Sequence, residues 1–139
     1  MHPENRKRLE SLGDLSAANI PFDESVMKLV HGEAYIQHVK EYSKHGRPLD
    51  GDTVTSPKSY EAAVYAANAT IMAAESNDFA VVRPPGHHAY PHRSSGFCFF
   101  NNVSIAAQKL ASEGKRVLIF DFDGHLGDGT SDIFYHSNK

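Results

Sequence analysis

Residues 115–123, KRVLIFDFD, constrain the fold more than any other stretch, because they join a β-rich apolar run directly to two carboxylates. Val117, Leu118, Ile119 and Phe120 leave no polar face between them, which predicts a strand buried on both sides. The chain before it supplies the rest of a βαβ unit. Phe79-Ala80-Val81-Val82 predicts a short buried strand, ended by Pro84-Pro85-Gly86. Asn102 to Glu113 predicts the crossover helix, with Gly114 in the usual stop position. Parallel pairing with a right-handed crossover is the default for such a unit. The expected fold class is therefore α/β, with helices covering a parallel sheet. Two strands are thin for such a sheet, so the chain reads as part of something larger.

The other elements are helical. Pro3 to about Ala17, with leucines at 9, 12 and 15, predicts a short amphipathic helix weakened by Gly13. Glu24 to about Ser43 predicts one or two helices, and Gly46 to Thr55 a loop. Ser56 and Pro57 are the expected N-cap and first turn of a helix running to about Glu75. Small residues at 62, 63, 66 and 67 should let it pack closely on a neighbour. Ser131 to Tyr135 reads as the start of another helix.

Composition excludes several functions. Fourteen Lys and Arg against seventeen Asp and Glu give a formal charge of −3, so no basic surface calls for nucleic acid or anionic lipid. Cys98 has no second cysteine to pair with, which fits a reducing compartment. The polar start, MHPENRKRLESL, is no signal peptide, and no apolar run approaches the roughly 20 residues of a membrane helix. The expected location is the cytoplasm, or the nucleus in a eukaryote.

The chemistry concentrates after the two expected strands. Asp121, Asp123 and His125 fall on one face if the chain stays extended, at the carboxyl edge where open α/β sheets place their sites. That many polar groups beside a buried strand need a partner, and a divalent metal such as zinc accepts both oxygen and imidazole nitrogen. The same stretch also reads as a polar loop whose aspartates cap the next helix. Gly124, Gly127 and Gly129 mark a tight turn and fit either reading. Arg83-Pro-Pro-Gly-His-His-Ala89 follows the other strand, so a parallel sheet puts His87 and His88 at the same edge. Adjacent imidazoles can share proton transfer if each has an orienting carboxylate, and Asp121 and Asp128 are near in sequence. A surface loop with two incidental histidines is the alternative. His92 and Arg93 read as loop surface; His2, His31, His38, His45 and His136 are assigned no chemistry.

RPPGHHA at 83–89, GFCFFNN at 96–102 and DFDGHLGDGT at 121–130 resemble three successive signatures of the histone-deacetylase family, which includes acetylpolyamine amidohydrolases and acetoin-utilisation proteins. His2-Pro3-Glu4 with Arg8-Leu9, Val30-His31 with Tyr35, and Leu49 to Thr53 resemble its weaker features. The resemblance covers nearly the whole chain. It implies an arginase-like three-layer α/β fold and zinc-dependent hydrolysis of N-acetyl groups on lysine or a small amine. By position, Asp123 and His125 match two of three zinc ligands. His87 and His88 match the histidines that handle protons, and Asp121 and Asp128 match the carboxylates that orient them. Asp121, Asp123 and His125 also match a structural monovalent-cation site, usually potassium. Gly96 and Phe97 resemble the channel that grips the acyl-lysine stem, and Asp52 a rim residue that orients substrate.

The chain departs from that pattern at Leu126, where the family usually has a second histidine, so a local packing or hydrogen-bond change is expected. The third zinc ligand and the oxyanion-stabilising tyrosine also have no match. Residues 1–139 therefore read as the N-terminal part of the domain, incomplete alone: half of a split enzyme needing a complementing chain or homo-oligomer, or a non-catalytic module that binds an acetylated ligand. A second enzyme class stays open. Ile119 to Gly124 followed by Asp128 resembles the first motif of haloacid-dehalogenase-type phosphatases, with Asp121 as nucleophile, Asp123 as acid/base and bound magnesium. That motif usually has threonine at the place of His125, and it leaves RPPGHHA and GFCFFNN unexplained.

Overall fold

The computed structural model describes residues 2–135. Its elements are α1 (Lys7–Glu10), a 3-10 helix (Glu24–Leu29), α2 (Glu33–Lys44), α3 (Ser59–Ser76), α4 (Asn102–Ser112) and α5 (Asp128–Phe134). His136 lies outside the described residues.

Helix α3 packs most extensively on α4. Ala63, Ala66 and Ala67 of α3 and Ile105 and Ala106 of α4 are all buried, and the small alanines let the two helices pack closely. Ala62, expected on the same face, is exposed. Asn77 ends α3 in the left-handed conformation, at φ 55°, where asparagine is tolerated. On α4, the Asn101 side chain accepts from the Ser104 N–H at 3.1 Å and so caps the first turn. The core continues through Val39 and Tyr35 of α2 and Met27 of the 3-10 helix. Phe100 fills its centre, with ring centroids 5.1 Å from His31, 6.0 Å from Tyr35 and 6.1 Å from Tyr60. Tyr35 donates its hydroxyl to the Phe99 carbonyl at 2.6 Å, and burial raises that phenol's pKa.

Several expectations need correction. The N-terminal helix shrinks to Lys7–Glu10, because Leu12 and Leu15 stay exposed and their stripe has nothing to cover. The Glu24–Ser43 region is two helices, as the sequence allowed, separated at His31-Gly32. Helix α3 starts at Ser59 rather than Pro57, with Lys58 and not Ser56 at its N-cap. Ser56 instead forms a turn, its carbonyl accepting from the Ser59 N–H and its own N–H donating to Ser59 Oγ. Helix α5 begins at Asp128, before the expected Ser131.

The largest correction concerns the sheet. Among the described residues the only β pairings are two isolated antiparallel bridges, Tyr90 with Arg93 and Ser95 with Cys98. Neither 79–82 nor 115–123 forms a strand. Leu118 is 90% exposed and Phe120 81%, so the expected burial on both faces is overturned. A strand takes its hydrogen bonds from a neighbour, and neither segment meets one. A cleft of about 380 Å³ lined by Val82 and by Ile119 to Asp123 lies between them.

Candidate functional site

The histidine loop and the acidic turn meet without a sheet to align them. Glu4 holds the start of the loop: its buried carboxylate pairs with Arg83 and with Arg8. Gly86 has no room for a side chain, since a Cβ there would sit 2.6 Å from the Asn102 nitrogen at the start of α4. The loop end is tied down by His31, which the sequence left without a role. His31 is 3% exposed and burial pushes its pKa down to about 4. Its Nε2 accepts from the Asn101 backbone N–H at 3.0 Å, so its Nδ1 carries the proton and donates to the Tyr90 carbonyl at 3.1 Å. The Asn101 side chain donates to the Ala89 carbonyl and to Thr130 Oγ1, each at 3.1 Å, joining the loop to α5.

Held this way, His87 and His88 stand with ring centroids 4.1 Å apart. Each faces its own carboxylate. His87 Nδ1 donates to Asp121 Oδ2 at 2.8 Å, and His88 Nδ1 to Asp128 Oδ1 at 2.6 Å. A carboxylate only accepts, so each Nδ1 carries a proton, and in the neutral ring Nε2 is left as the acceptor. Burial works against ionised Asp121, but its bonds from His87 and the Asp123 N–H outweigh that and hold its carboxyl below the usual range. Asp128 is shifted the same way, burial being outweighed by His88 and Tyr90.

Glycines make this closeness sterically feasible. A Cβ on Gly127 would lie 2.5 Å from Asp121 Oδ2, and one on Gly129 would lie 2.6 Å from the His88 carbonyl carbon. Gly129 thus seats α5 on the histidine loop, helped by the Thr130 N–H bond to the His87 carbonyl at 3.1 Å. Gly129→Ala should cost about 1–3 kcal/mol of stability through overpacking against backbone. Gly124→Ala, with open space around it, should stay within about 0.5 kcal/mol. Denaturant titration compares the two, and equal midpoints would show that α5 is not wedged against the loop.

Asp123 and His125 sit one turn of chain away, on the wall of a cleft of about 570 Å³. Asp123 Oδ1 accepts from the His125 backbone N–H at 2.7 Å and from His125 Nδ1 at 2.9 Å. The backbone bond first and the ring second lower the Asp123 pKa. The His125 ring lies 6.1 Å from that of His88. Among the described residues no third His, Cys, Asp or Glu joins them in an arrangement fit to hold a metal. Leu126 is 76% exposed, and its carbonyl accepts from the Asp128 N–H at 2.8 Å.

The expected substrate-contacting residues gather at a separate lip. Gly96 and Phe97 both have positive φ, 52° and 68°, which is uncommon for a bulky residue such as Phe97. A Cβ on Gly96 would strike the His88 ring at 2.5 Å, so the glycine brings this lip against the histidines. Phe97 meets His2 edge-on at 5.0 Å, and His2 Nε2 donates to the Asp52 carbonyl at 2.9 Å. The Asp52 side chain itself is exposed. Its neighbour Asp50 is the structural residue of that turn. Burial resists its charge, but Ser94, Asp52 and Thr53 lower its pKa to about 2. Tyr90 is the other residue missed in the sequence, and its aromatic character gave no signal of the hydroxyl bond it makes to Asp128 at 2.8 Å.

Comparison with known proteins gives a consistent result. The histone deacetylase domain family matches residues 2–139. A probable deacetylase of Archaeoglobus fulgidus is 36% identical over 99% of this chain and 44% of its own length. Histone deacetylase 8 of Arabidopsis thaliana is 33% identical over 99% of this chain and 42% of its own. The crystal structure of the HDA15 HD domain superposes with a TM-score of 0.88 at 32% identity, over 96% of this chain and 44% of that one. The chain thus spans less than half the length of these relatives.

Proposed function

The chain belongs to the histone deacetylase family, and from that premise we propose that it carries the proton-handling half of a zinc-dependent deacetylase site. The observation that carries this reading is the pair of histidine–aspartate dyads, His87–Asp121 and His88–Asp128, beside the Asp123–His125 turn. The substrate class is an N-acetyl group on lysine or on a small amine. The arginase-like parallel sheet is part of the same proposal, with 79–82 and 115–123 as two of its strands once pairing neighbours are supplied.

Asp123 and His125 suit zinc in donor type, a carboxylate oxygen and an imidazole nitrogen. Their donor atoms are 2.9 Å apart and exposed to the cleft, and two ligands on one tetrahedral zinc are about 3.3 Å apart. A zinc there would replace the proton shared between them, polarise an acetyl carbonyl and acidify a bound water. A monovalent cation, usually potassium, near Asp121, Asp123 and His125 is supported by the family resemblance alone. The chain's own residues supply the rest. Nε2 of His87 and of His88 can take and return a proton, because each Nδ1–H is committed to a carboxylate. Asp121 and Asp128 fix the ring orientation and stabilise imidazolium as it forms. Gly96 and Phe97 would flank the acyl stem, with Asp52 at the rim.

With two protein ligands among residues 1–139, zinc should bind weakly, and turnover would need further groups from elsewhere in the same polypeptide, from a complementing chain or from a second copy. The phosphatase alternative finds no support: Asp121 is engaged by His87 and by the Asp123 N–H. No described helix is long and apolar enough to cross a membrane. The test is release of acetate from an acetyl-lysine peptide by the purified chain with added zinc. Zinc-dependent release that His88→Ala abolishes supports a catalytic chain. Peptide binding without release supports a non-catalytic module or a site that lacks its remaining ligands, and failure to bind the peptide even at saturating zinc would overturn the reading.

A further inference from the structure

The two dyads are not equivalent. Asp121 accepts from His87 Nδ1 on Oδ2 and from a backbone N–H, that of Asp123 at 3.1 Å, on Oδ1. Asp128 accepts from His88 Nδ1 and the Gly129 N–H, at 2.6 and 3.0 Å, on Oδ1. It also accepts, on Oδ2 at 2.8 Å, from the hydroxyl of Tyr90. The difference is one phenol, and that phenol is held from three directions. The Arg93 guanidinium lies 3.4 Å from the centre of the Tyr90 ring. The Tyr90 N–H donates to the Arg93 carbonyl at 3.0 Å, closing a tight Tyr90–Arg93 turn. The Tyr90 carbonyl is fixed by buried His31. A cation over the ring face also makes the hydroxyl a better donor.

We propose that Tyr90 is a positioning residue for His88, its hydroxyl locking the rotation of the Asp128 carboxylate and withdrawing charge from it, so that the two adjacent histidines face carboxylates of unequal strength. Asp121, with no phenol on it among the described residues, keeps its charge for His87 and one backbone N–H. Asp128 divides its charge between His88, the Gly129 N–H and Tyr90, while its contact with His88 is the shorter, 2.6 Å against 2.8 Å. The hydrogen bond to Asp128 in turn raises the Tyr90 phenol pKa, which keeps the hydroxyl a donor. The catalytic consequence rests on the deacetylase reading: histidines set unequally can divide proton removal from proton delivery.

Ring N–H signals of the full chain, labelled with nitrogen-15 at histidine, test the arrangement with no need for zinc or turnover. Tyr90→Phe removes a single oxygen. The His88 Nδ1–H signal should move downfield, because Asp128 pulls harder once the phenol is gone, while the His87 signal stays in place as the internal control. Arg93→Ala, which loosens the ring without touching Asp128, should move the His88 signal in the same direction by less. An unmoved His88 signal in Tyr90→Phe, or equal movement of both histidines, would overturn the proposal. Failure of the acetate-release experiment alone would leave it standing.

Discussion

Replacing Phe100 by alanine is expected to destabilise the chain by about 3–5 kcal/mol, the usual cost of emptying a large aromatic site. Phe100 is fully buried at the centre of the core, against His31, Tyr35 and Tyr60. Its loss takes a large share of the roughly 5–15 kcal/mol that a folded domain has in hand. The damage should reach the site as well, because the next residue is Asn101. The Asn101 backbone N–H bonds His31 and its side chain ties Ala89 to Thr130. The comparison that makes the prediction sharp is Phe120→Ala. Phe120 is 81% exposed, so its removal should change stability by no more than about 0.5 kcal/mol. Urea titration of both variants is the measurement, with an unchanged slope showing that only stability moved. If Phe120→Ala costs as much as Phe100→Ala, the 115–123 segment is buried in solution and the described arrangement of that segment is wrong.

The second large effect concerns the metal. Asp123→Ala and His125→Ala should each weaken zinc binding by more than about 100-fold, since removing even an outer partner of a metal ligand costs about 10–100-fold. Asp123 and His125 donate from neighbouring positions on one cleft wall, and removal of either leaves a single ligand. Competition against a colorimetric chelator, followed by metal analysis of the recovered protein, gives the affinity. His45→Ala is the control, because His45 bonds Glu41 at the end of α2, far along the chain from the turn. Unchanged zinc binding in both site variants would remove Asp123 and His125 from the proposed metal centre.

Particular residues show what could be read without coordinates. The RPPGHHA and DFDGHLGDGT stretches marked themselves as candidates by imidazoles and carboxylates at short spacing, but residue types alone left a surface loop or a helix cap open, and only their resemblance to the family's signatures assigned them roles. The helices α2, α3 and α4 were legible for a similar reason: periodicity and stop residues such as Gly114, at φ 81°, act locally. His31 was not legible. A lone histidine has no local pattern, and its role depends on Tyr90 and Asn101, far away in sequence. Tyr90 was hidden for the same reason.

The 115–123 segment marks the boundary between the two kinds of knowledge. Its composition determined that it prefers an apolar, strand-like setting and that carboxylates end it. Whether it becomes a strand depends on a neighbour's amides and carbonyls, which no residue within the segment can supply, and here Leu118 and Phe120 face solvent instead. The order and type of the helices and the inventory of reactive groups were written in the chain. Tertiary structure decided which carboxylate meets which histidine, and which of the two dyads carries a phenol. Those pairings join groups tens of residues apart, so only the folded geometry can select them.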